Sequence, residues 1–323
     1  MNIDNLYSQI DAIQVVIDKF YDTHPGYVAN TDWDAWIKRF RLKNNFITRS
    51  WIKMYEFLTM LNWNKDIIAL FNAEMPGGFL LATDYYTKLH GLKLNWRLNS
   101  LMPFEPTVDY LEDKYKLKDR FPNNVLFGYH NIGNRRLYLD GDITNRTVRK
   151  LITKMCPKVN LYTSDGGTEC SDHGNKESSH IKLKYGEFAL GLSVCDAGAV
   201  MLIKLYGIRT NAMISLIISV AKCFQSWKLW KPQGSNPVNE EFYFIGINYK
   251  PDHTIINLVD NSDPMPDELI YRPEQSEYDT LNEKLIPILQ TRINYISKYV
   301  QGDTLYVSAG DLDIKLDNSI TPL

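Results

Sequence analysis

Four ionisable residues stand at telling points of short phrases spread along the chain: Lys53 in SWIKMYEF, Asp165 in LYTSDGG, Lys204 in MLIKLYG and Glu241 in NEEFYFIG. Between the first two lies AEMPGGF, a Pro-Gly-Gly turn where a strand should hand over to a helix. A Lys-Asp-Lys-Glu set beside a glycine-rich turn suits moving a methyl group onto a poorly acidic hydroxyl.

Each phrase also has a plainer reading. Lys204 interrupts the apolar run AVMLIKLYG, and a lysine is expensive to bury without a partner. Asp165, at the end of a neighbouring strand, would be that partner; the alternative is a snorkelling edge lysine. Asp165 followed by two glycines either points into a crevice or closes an Asx-type turn. Lys53 alone reads as the solvated face of a helix, and Glu241 alone as a solvent-facing strand start. Glu240 leaves the register open, because successive strand residues face opposite ways.

Gly77 and Gly78 lack Cβ atoms, so their backbone can approach a ligand and adopt positive φ, while Pro76 fixes the entry to the turn. The free N–H groups of the next helix offer a place for a carboxylate; without a ligand the phrase is a tight strand–helix turn. In LYLDGDIT, Asp140 and Asp142 flank Gly141 before a helix for which Thr144 is the N-cap candidate. Either one carboxylate holds an adenosine portion, or the phrase is a capped turn. Neither GxGxxG nor GxxxxGK[ST] occurs, which leaves a nicotinamide site and a P-loop unsupported.

The elements that must position these residues can be read from hydrophobic spacing. Residues 1–45 look helical, with Ile10, Ile13, Val16, Ile17 and Phe20 recurring at three- and four-residue intervals. A helix over 47–62 carries Lys53, with Trp51, Tyr55, Leu58 and Leu61 as its buried stripe. DIIALFNAE is a buried strand of the parallel type, and GFLLATDYYTKLH is the helix after it. Further strands are expected at 93–101, 158–165, 199–207, 228–232 and 241–249, with helices at 144–154, 180–194 and 210–225. Alternating strands and helices imply a mostly parallel sheet with helices on both faces. The short loop between the last two strands implies an antiparallel pair at the end. Ligands of such sheets sit beyond the strands' carboxyl ends. From about residue 251 the phrase PDHTIINLVDNSDPMPDE reads as loop, followed by one amphipathic helix over 280–301. Three regions result: an N-terminal helical extension (1–45), a central domain (46–250) and a C-terminal extension (251–323).

Composition is that of an ordinary globular protein, 44% hydrophobic and 23% charged in 323 residues. A formal charge of −2 excludes a polycation, so nucleic acid would need a local basic surface. WIKRFRLK supplies one candidate: Trp36, Lys38, Arg39 and Arg41 could stack on a base and hold phosphates, or form a solvated helix with its aromatics inward. Lys231 is another candidate phosphate contact. No stretch reaches the roughly 20 apolar residues of a membrane span, and the first residues lack a signal peptide's basic and apolar regions. Cys156, Cys170, Cys195 and Cys223 lack metal-ligand spacing, so reduced structural thiols and no metal are expected, in a reducing compartment.

Taken in order, MPGGF (75–79), DGDIT (140–144), SDGG (164–167), IKLY (203–206) and KPQGSNPVNEEFY (231–243) resemble the FtsJ/RrmJ-type ribose 2′-O-methyltransferases, especially the cap-specific mRNA branch. The helix, turn and LYTSDGG strand are similar to FtsJ-like proteins of large DNA viruses such as African swine fever virus. The resemblance covers about residues 46–250. It implies the Rossmann-like methyltransferase fold, with its antiparallel final strand. The family's Lys-Asp-Lys-Glu tetrad falls on Lys53, Asp165, Lys204 and Glu241, the last chosen over Glu240 by aligning NEEFY with NSExY. Glu74, Pro76, Gly77, Gly78, Phe79, Asp140, Asp142 and Asp165 fall where the family holds its cofactor. Two positions depart from the pattern: methionine precedes Pro76, and QGSNP stands in place of an SRP arrangement, removing an arginine.

The resemblance implies S-adenosylmethionine as donor and, as acceptor, the ribose 2′-hydroxyl of the first transcribed nucleotide of capped mRNA, taking cap-0 to cap-1. Lys204 would take the hydroxyl's proton, Lys53 and Glu241 would tune it, and Asp165 would hold it; in a variant, Lys204 stays charged and orients the lone pair. Capped RNA is the implied partner, with other capping or transcription subunits as candidates, in the host cytoplasm or virion and away from membranes. Two competing readings remain: a methyltransferase of ribosomal or other RNA, and a non-catalytic RNA-binding or assembly subunit that retains the fold.

Overall fold

The computed structural model describes residues 3–23, 47–102, 113–167, 176–235 and 239–300, and residues 317, 319, 320 and 323. Trp36, Lys38, Arg39, Arg41 and Cys170 lie outside the described residues.

The chain runs α1 (Ile3–Thr23), α2 (Arg49–Met60), β1 (Ile67–Asn72), α3 (Gly78–Leu89), β2 (Leu94–Asn99), α4 (Leu117–Arg120), β3 (Gly128–Ile132), β4 (Arg135–Leu139), α5 (Arg146–Met155), β5 (Val159–Ser164), α6 (Lys176–Val194), β6 (Cys195–Leu205), α7 (Asn211–Ala221), β7 (Phe224–Trp230), β8 (Phe242–Tyr249), α8 (His253–Asn261) and α9 (Gln275–Val300). Six strands form one sheet in the order β2-β1-β5-β6-β8-β7. β2, β1, β5 and β6 pair in parallel, whereas β8 is antiparallel to both β6 and β7. This is the mixed α/β, Rossmann-like architecture expected from the alternation of strands and helices.

Alternate residues of the buried strands feed two cores, one on each face. On β6, Met201, Ile203 and Leu205 join the core under α6, α7 and α9, while Val200 and Leu202 join the core under α2 and α3. Lys204 follows that second parity, so its side chain belongs to the α2 face at the strand's carboxyl end. On β8, Tyr243 and Ile245 lie in that same core.

Several boundaries differ from the sequence reading, each for a local reason. The 210–225 helix stops at Ala221, because Phe224 already pairs with Tyr249 and sheet pairing outweighs the continuing apolar run. The loop-rich phrase after 251 contains α8. Asp252 is its N-cap and accepts from Thr254 N and Ile255 N, and Ile255 and Val259 are buried. Asn145, not Thr144, caps α5. On α1 the buried stripe is Leu6, Tyr7 and Ile10; Val16, expected inside, is exposed. The β3–β4 hairpin was not foreseen, although Gly133-Asn134 between Ile132 and Arg135 is a two-residue hairpin signal.

Candidate active site

The carboxyl ends of β2, β1, β5 and β6 open onto a cavity of about 490 Å³, a volume suited to a small-molecule ligand. Glu74, Pro76, Asp142, Asp165 and Lys204 are among the residues lining it.

At one side of the cavity two ion pairs stand together. Lys204 Nζ lies 3.3 Å from Asp165 Oδ1, and Lys53 Nζ lies 2.8 Å from Glu241 Oε1. Each arrives from a different element: Lys53 from the middle of α2, Asp165 just past β5, Lys204 near the end of β6, and Glu241 just before β8. Register explains the convergence. Lys204 is paired with Tyr243, so Glu241, two residues before Tyr243, shares their face. Glu240 has the opposite parity and pairs with Arg292 of α9 at 3.2 Å. The register thus assigns Glu241 rather than Glu240 to the cluster.

Tyr243 joins the two pairs. Its hydroxyl donates to Asp165 Oδ1 at 2.7 Å, and Lys53 Nζ sits 5.6 Å from its ring centroid. Ser235 Oγ donates to Glu241 Oε1 at 2.8 Å. Sequence reasoning did not single out Tyr243 or Ser235, although Tyr243 is the final residue of the NEEFY phrase.

The charges set one another's protonation. Burial alone would lower the pKa of Lys204, but Asp165, Tyr206 and Glu241 outweigh it and push it well above the ordinary lysine range. Burial would raise Glu241, yet Lys53 and Lys204 draw its carboxyl down to about 2. Burial, with the Asp165 carboxylate beside it, pushes Glu74 well above the usual carboxylate range, favouring its neutral form. Burial and Asp165 likewise keep the Tyr243 hydroxyl protonated.

The glycine turn works differently from the sequence reading. Gly77 adopts φ 108°, which favours glycine. A Cβ on Gly78 would lie 2.3 Å from Ser50 Oγ, so the close approach there is to α2 rather than to a ligand. Gly77, Gly78 and Phe79 are not among the residues lining the cavity, and Phe79 is fully buried against Tyr243. At the N-terminus of α3, Phe79 N–H donates to Glu74 Oε2 at 3.3 Å, so the chain's own carboxyl group takes the place foreseen for a ligand carboxylate.

In the DGD phrase, Asp142 Oδ1 accepts from Thr144 N and Thr144 Oγ1 while the residue lines the cavity, and Asp140 Oδ1 accepts from Asp142 N. Asp142 therefore combines a turn with a place in the cavity wall; Asp140 supports the turn from behind. Lys231 Nζ is directed inward to Asn239 Oδ1, Asn239 O and Glu241 O, contacts that use its three N–H donors, rather than outward to a phosphate. Burial pushes its pKa down to about 7.

Residues 46–249 match the FtsJ-like methyltransferase family, and the chain belongs to it. Among its relatives is the probable methyltransferase EP424R of African swine fever virus, 34% identical over 216 residues, covering 65% of this chain and 51% of that protein. A cap-specific mRNA (nucleoside-2′-O-)-methyltransferase 2 of Drosophila melanogaster is 25% identical over 266 residues, covering 78% of this chain and 37% of that protein. A protein of the same name from Pongo abelii is 26% identical over 219 residues, covering 63% of this chain and 27% of that protein. The chain thus spans about half the length, or less, of these curated relatives. Among the described residues no helix is long and apolar enough to cross a membrane.

Family membership implies S-adenosylmethionine as the methyl donor, and the cavity suits it. Glu74 Oε1 and Asn99 Oδ1 are buried cavity-lining residues' oxygens with no hydrogen-bond partner among the described residues. Asn99 Oδ1 is an acceptor available to the amino and hydroxyl donors that such a cofactor carries, and a neutral Glu74 carboxyl can donate as well as accept.

Proposed function

We propose that this protein methylates the ribose 2′-hydroxyl of the first transcribed nucleotide of capped mRNA, converting cap-0 to cap-1, with S-adenosylmethionine as donor. The observation that carries the reading is the Lys53–Glu241 and Lys204–Asp165 pairs meeting through Tyr243 beside the cavity. The cap-specific relatives and the DGDIT and KPxxS…NxExY phrases support a capped substrate. Viral relatives support a host-cytoplasmic or virion setting, where other capping or transcription subunits are candidate partners.

Glu74, Asn99, Asp142 and Asp165 would hold the cofactor, which supplies a methyl group already activated on a sulfonium. The chain's own task is alignment and management of one proton. Lys204, held as an ammonium by its neighbours, donates a hydrogen bond to the 2′-oxygen and turns its lone pair toward the methyl group. Charge developing on that oxygen as its proton departs is stabilised by the same ammonium. Asp165 fixes Lys204 and is the nearby carboxylate to which the proton can pass. Lys53 and Glu241 hold the ribose side of the cluster. This is the charged-lysine variant; the electrostatics around Lys204 favour it over a neutral lysine base.

The test incubates the full chain with radiolabelled S-adenosylmethionine and matched capped and uncapped transcripts, then maps label by nuclease digestion. Label in the first transcribed nucleotide of capped RNA alone is expected. Equal labelling of uncapped RNA would redirect the reading to ribosomal or other RNA, and no labelling with cofactor bound would favour a non-catalytic subunit.

A further inference from the structure

The carboxyl ends of β2, β1 and β5 are joined beneath the cavity by a buried polar chain of which Asn99 alone has a proposed part in holding the cofactor. Asn99 Nδ2 donates to Gly141 O at 3.1 Å and to Asn72 Oδ1 at 2.9 Å. Asn72 Nδ2 donates to Ser164 Oγ at 2.8 Å, and Ser164 Oγ donates to Glu187 Oε1 at 2.8 Å. Lys184 ends the series, with Nζ 2.6 Å from Glu187 Oε2. None of these five side chains belongs to a residue more than 2% exposed.

The last pair grips the loop that presents Asp165. Glu187 Oε1 accepts from Gly166 N at 3.0 Å, and Lys184 Nζ donates to Gly166 O at 2.9 Å. Both chain neighbours of Asp165 are thereby fixed: Ser164 by its hydroxyl, Gly166 by its N–H and its carbonyl. The fit is close, since a Cβ on Gly166 would lie 2.1 Å from Glu187 Oε1. Along the links from Asn99 through Asn72 and Ser164 each donation runs toward the Glu187 carboxylate, an arrangement in which successive bonds polarise one another. A buried pair of this kind is weak evidence of stabilisation. Replacing a buried ion pair with apolar side chains of similar volume is often neutral or stabilising.

We propose that Lys184 and Glu187 are positioning residues for methyl transfer. They hold residues 164–166, and through Ser164, Asn72 and Asn99 the wall that carries Asp142, so that Asp165 meets Lys204 and the cofactor cavity keeps its shape. The proposal rests on the methyltransferase reading of the same site.

The test compares wild type with two double variants of the full chain, Lys184→Met/Glu187→Leu and Lys184→Met/Glu187→Gln. Glutamine keeps an acceptor for Ser164 and Gly166; leucine removes it. Calorimetry gives S-adenosylmethionine affinity, steady-state transfer gives kcat and the KM for RNA, and thermal melting reports folding. The leucine double variant is expected to lose about tenfold in cofactor affinity and about tenfold in kcat at unchanged KM for RNA, the worth of a charge-assisted hydrogen bond. The glutamine double variant should recover most of both. Wild-type affinity and kcat in the leucine variant, or equal impairment of the two variants, would overturn the proposal. If the leucine variant does not fold, Ser164→Ala decides, with at least about a threefold loss of affinity and kcat expected for one neutral link, and unchanged values contradicting the proposal. Should wild type bind the cofactor but transfer nothing to RNA, the RNA reading fails while the affinities still decide the role of the pair.

Discussion

Lys53 Nζ and Glu241 Oε1 are 2.8 Å apart although 188 positions separate them in the chain. Both side chains are mostly buried, at 8% and 12% exposure, so neither charge is left to water. Removing one partner strands the other, which typically costs about 3–5 kcal/mol for a buried pair. Lys53→Met should therefore lower the urea midpoint of unfolding markedly. Lys53→Met/Glu241→Gln should regain most of that stability without regaining transfer. A double variant as unstable as the single would show that the pair is not the source of the loss.

Acid sensitivity follows from the same contact. The Glu241 carboxyl falls from its ordinary 4.5 to about 2 on folding, so it adds stability above its unfolded value and that stability is lost as pH falls through the folded one. Resistance to urea should thus fall as pH drops from about 4.5 to about 2, and Lys53→Met should flatten that dependence. An unchanged slope in the variant would separate Glu241 from Lys53.

Lys204 is held charged across neutral pH, so kcat at saturating substrates should be nearly flat between about pH 7 and 9. A rise of about tenfold per pH unit over that range would instead mark a lysine that must lose its proton before acting.

Tyr243→Phe keeps the ring against Phe79 and Lys53 while removing the 2.7 Å donor to Asp165. Hydrogen bonds to charged groups contribute about 1.5–3 kcal/mol, so kcat should fall about tenfold or more and the melting temperature by roughly a few degrees. Wild-type turnover in this variant would show that the bond does not position Asp165.

Gly78→Ala would drive a Cβ into Ser50 Oγ. Overpacking of this kind costs about 1–3 kcal/mol, to be read as a lower denaturant midpoint. Adding Ser50→Gly should restore it; no restoration would place the strain elsewhere.

Much of this architecture was legible because hydrophobic period and strand-end position report directly on a buried parallel sheet. Lys204 and Asp165 could be paired from sequence alone: a lysine in an apolar strand demands a counter-charge, and an acid before two glycines is free to supply it. Glu241 could not be separated from Glu240 on pattern alone, because the choice rests on cross-strand register with Lys204. The Glu74 contact at α3 and the inward turn of Lys231 were also hidden, since each depends on which of several oxygens the folded backbone brings near. Asn72, Asn99, Lys184 and Glu187 carry no local signature at all; their bonds join segments from β1 to α6. Asp252 shows the converse case, an N-cap of a preferred residue type that lies inside a phrase rich in loop-forming residues.

If Lys204 acts on the acceptor hydroxyl itself, single-turnover methyl transfer to capped RNA by Lys204→Ala, with cofactor affinity measured on the same preparation, will show it. Transfer at least about 100-fold slower, at an S-adenosylmethionine affinity close to that of wild type, is the expected result. Transfer retained above about one-tenth of the wild-type rate would contradict it.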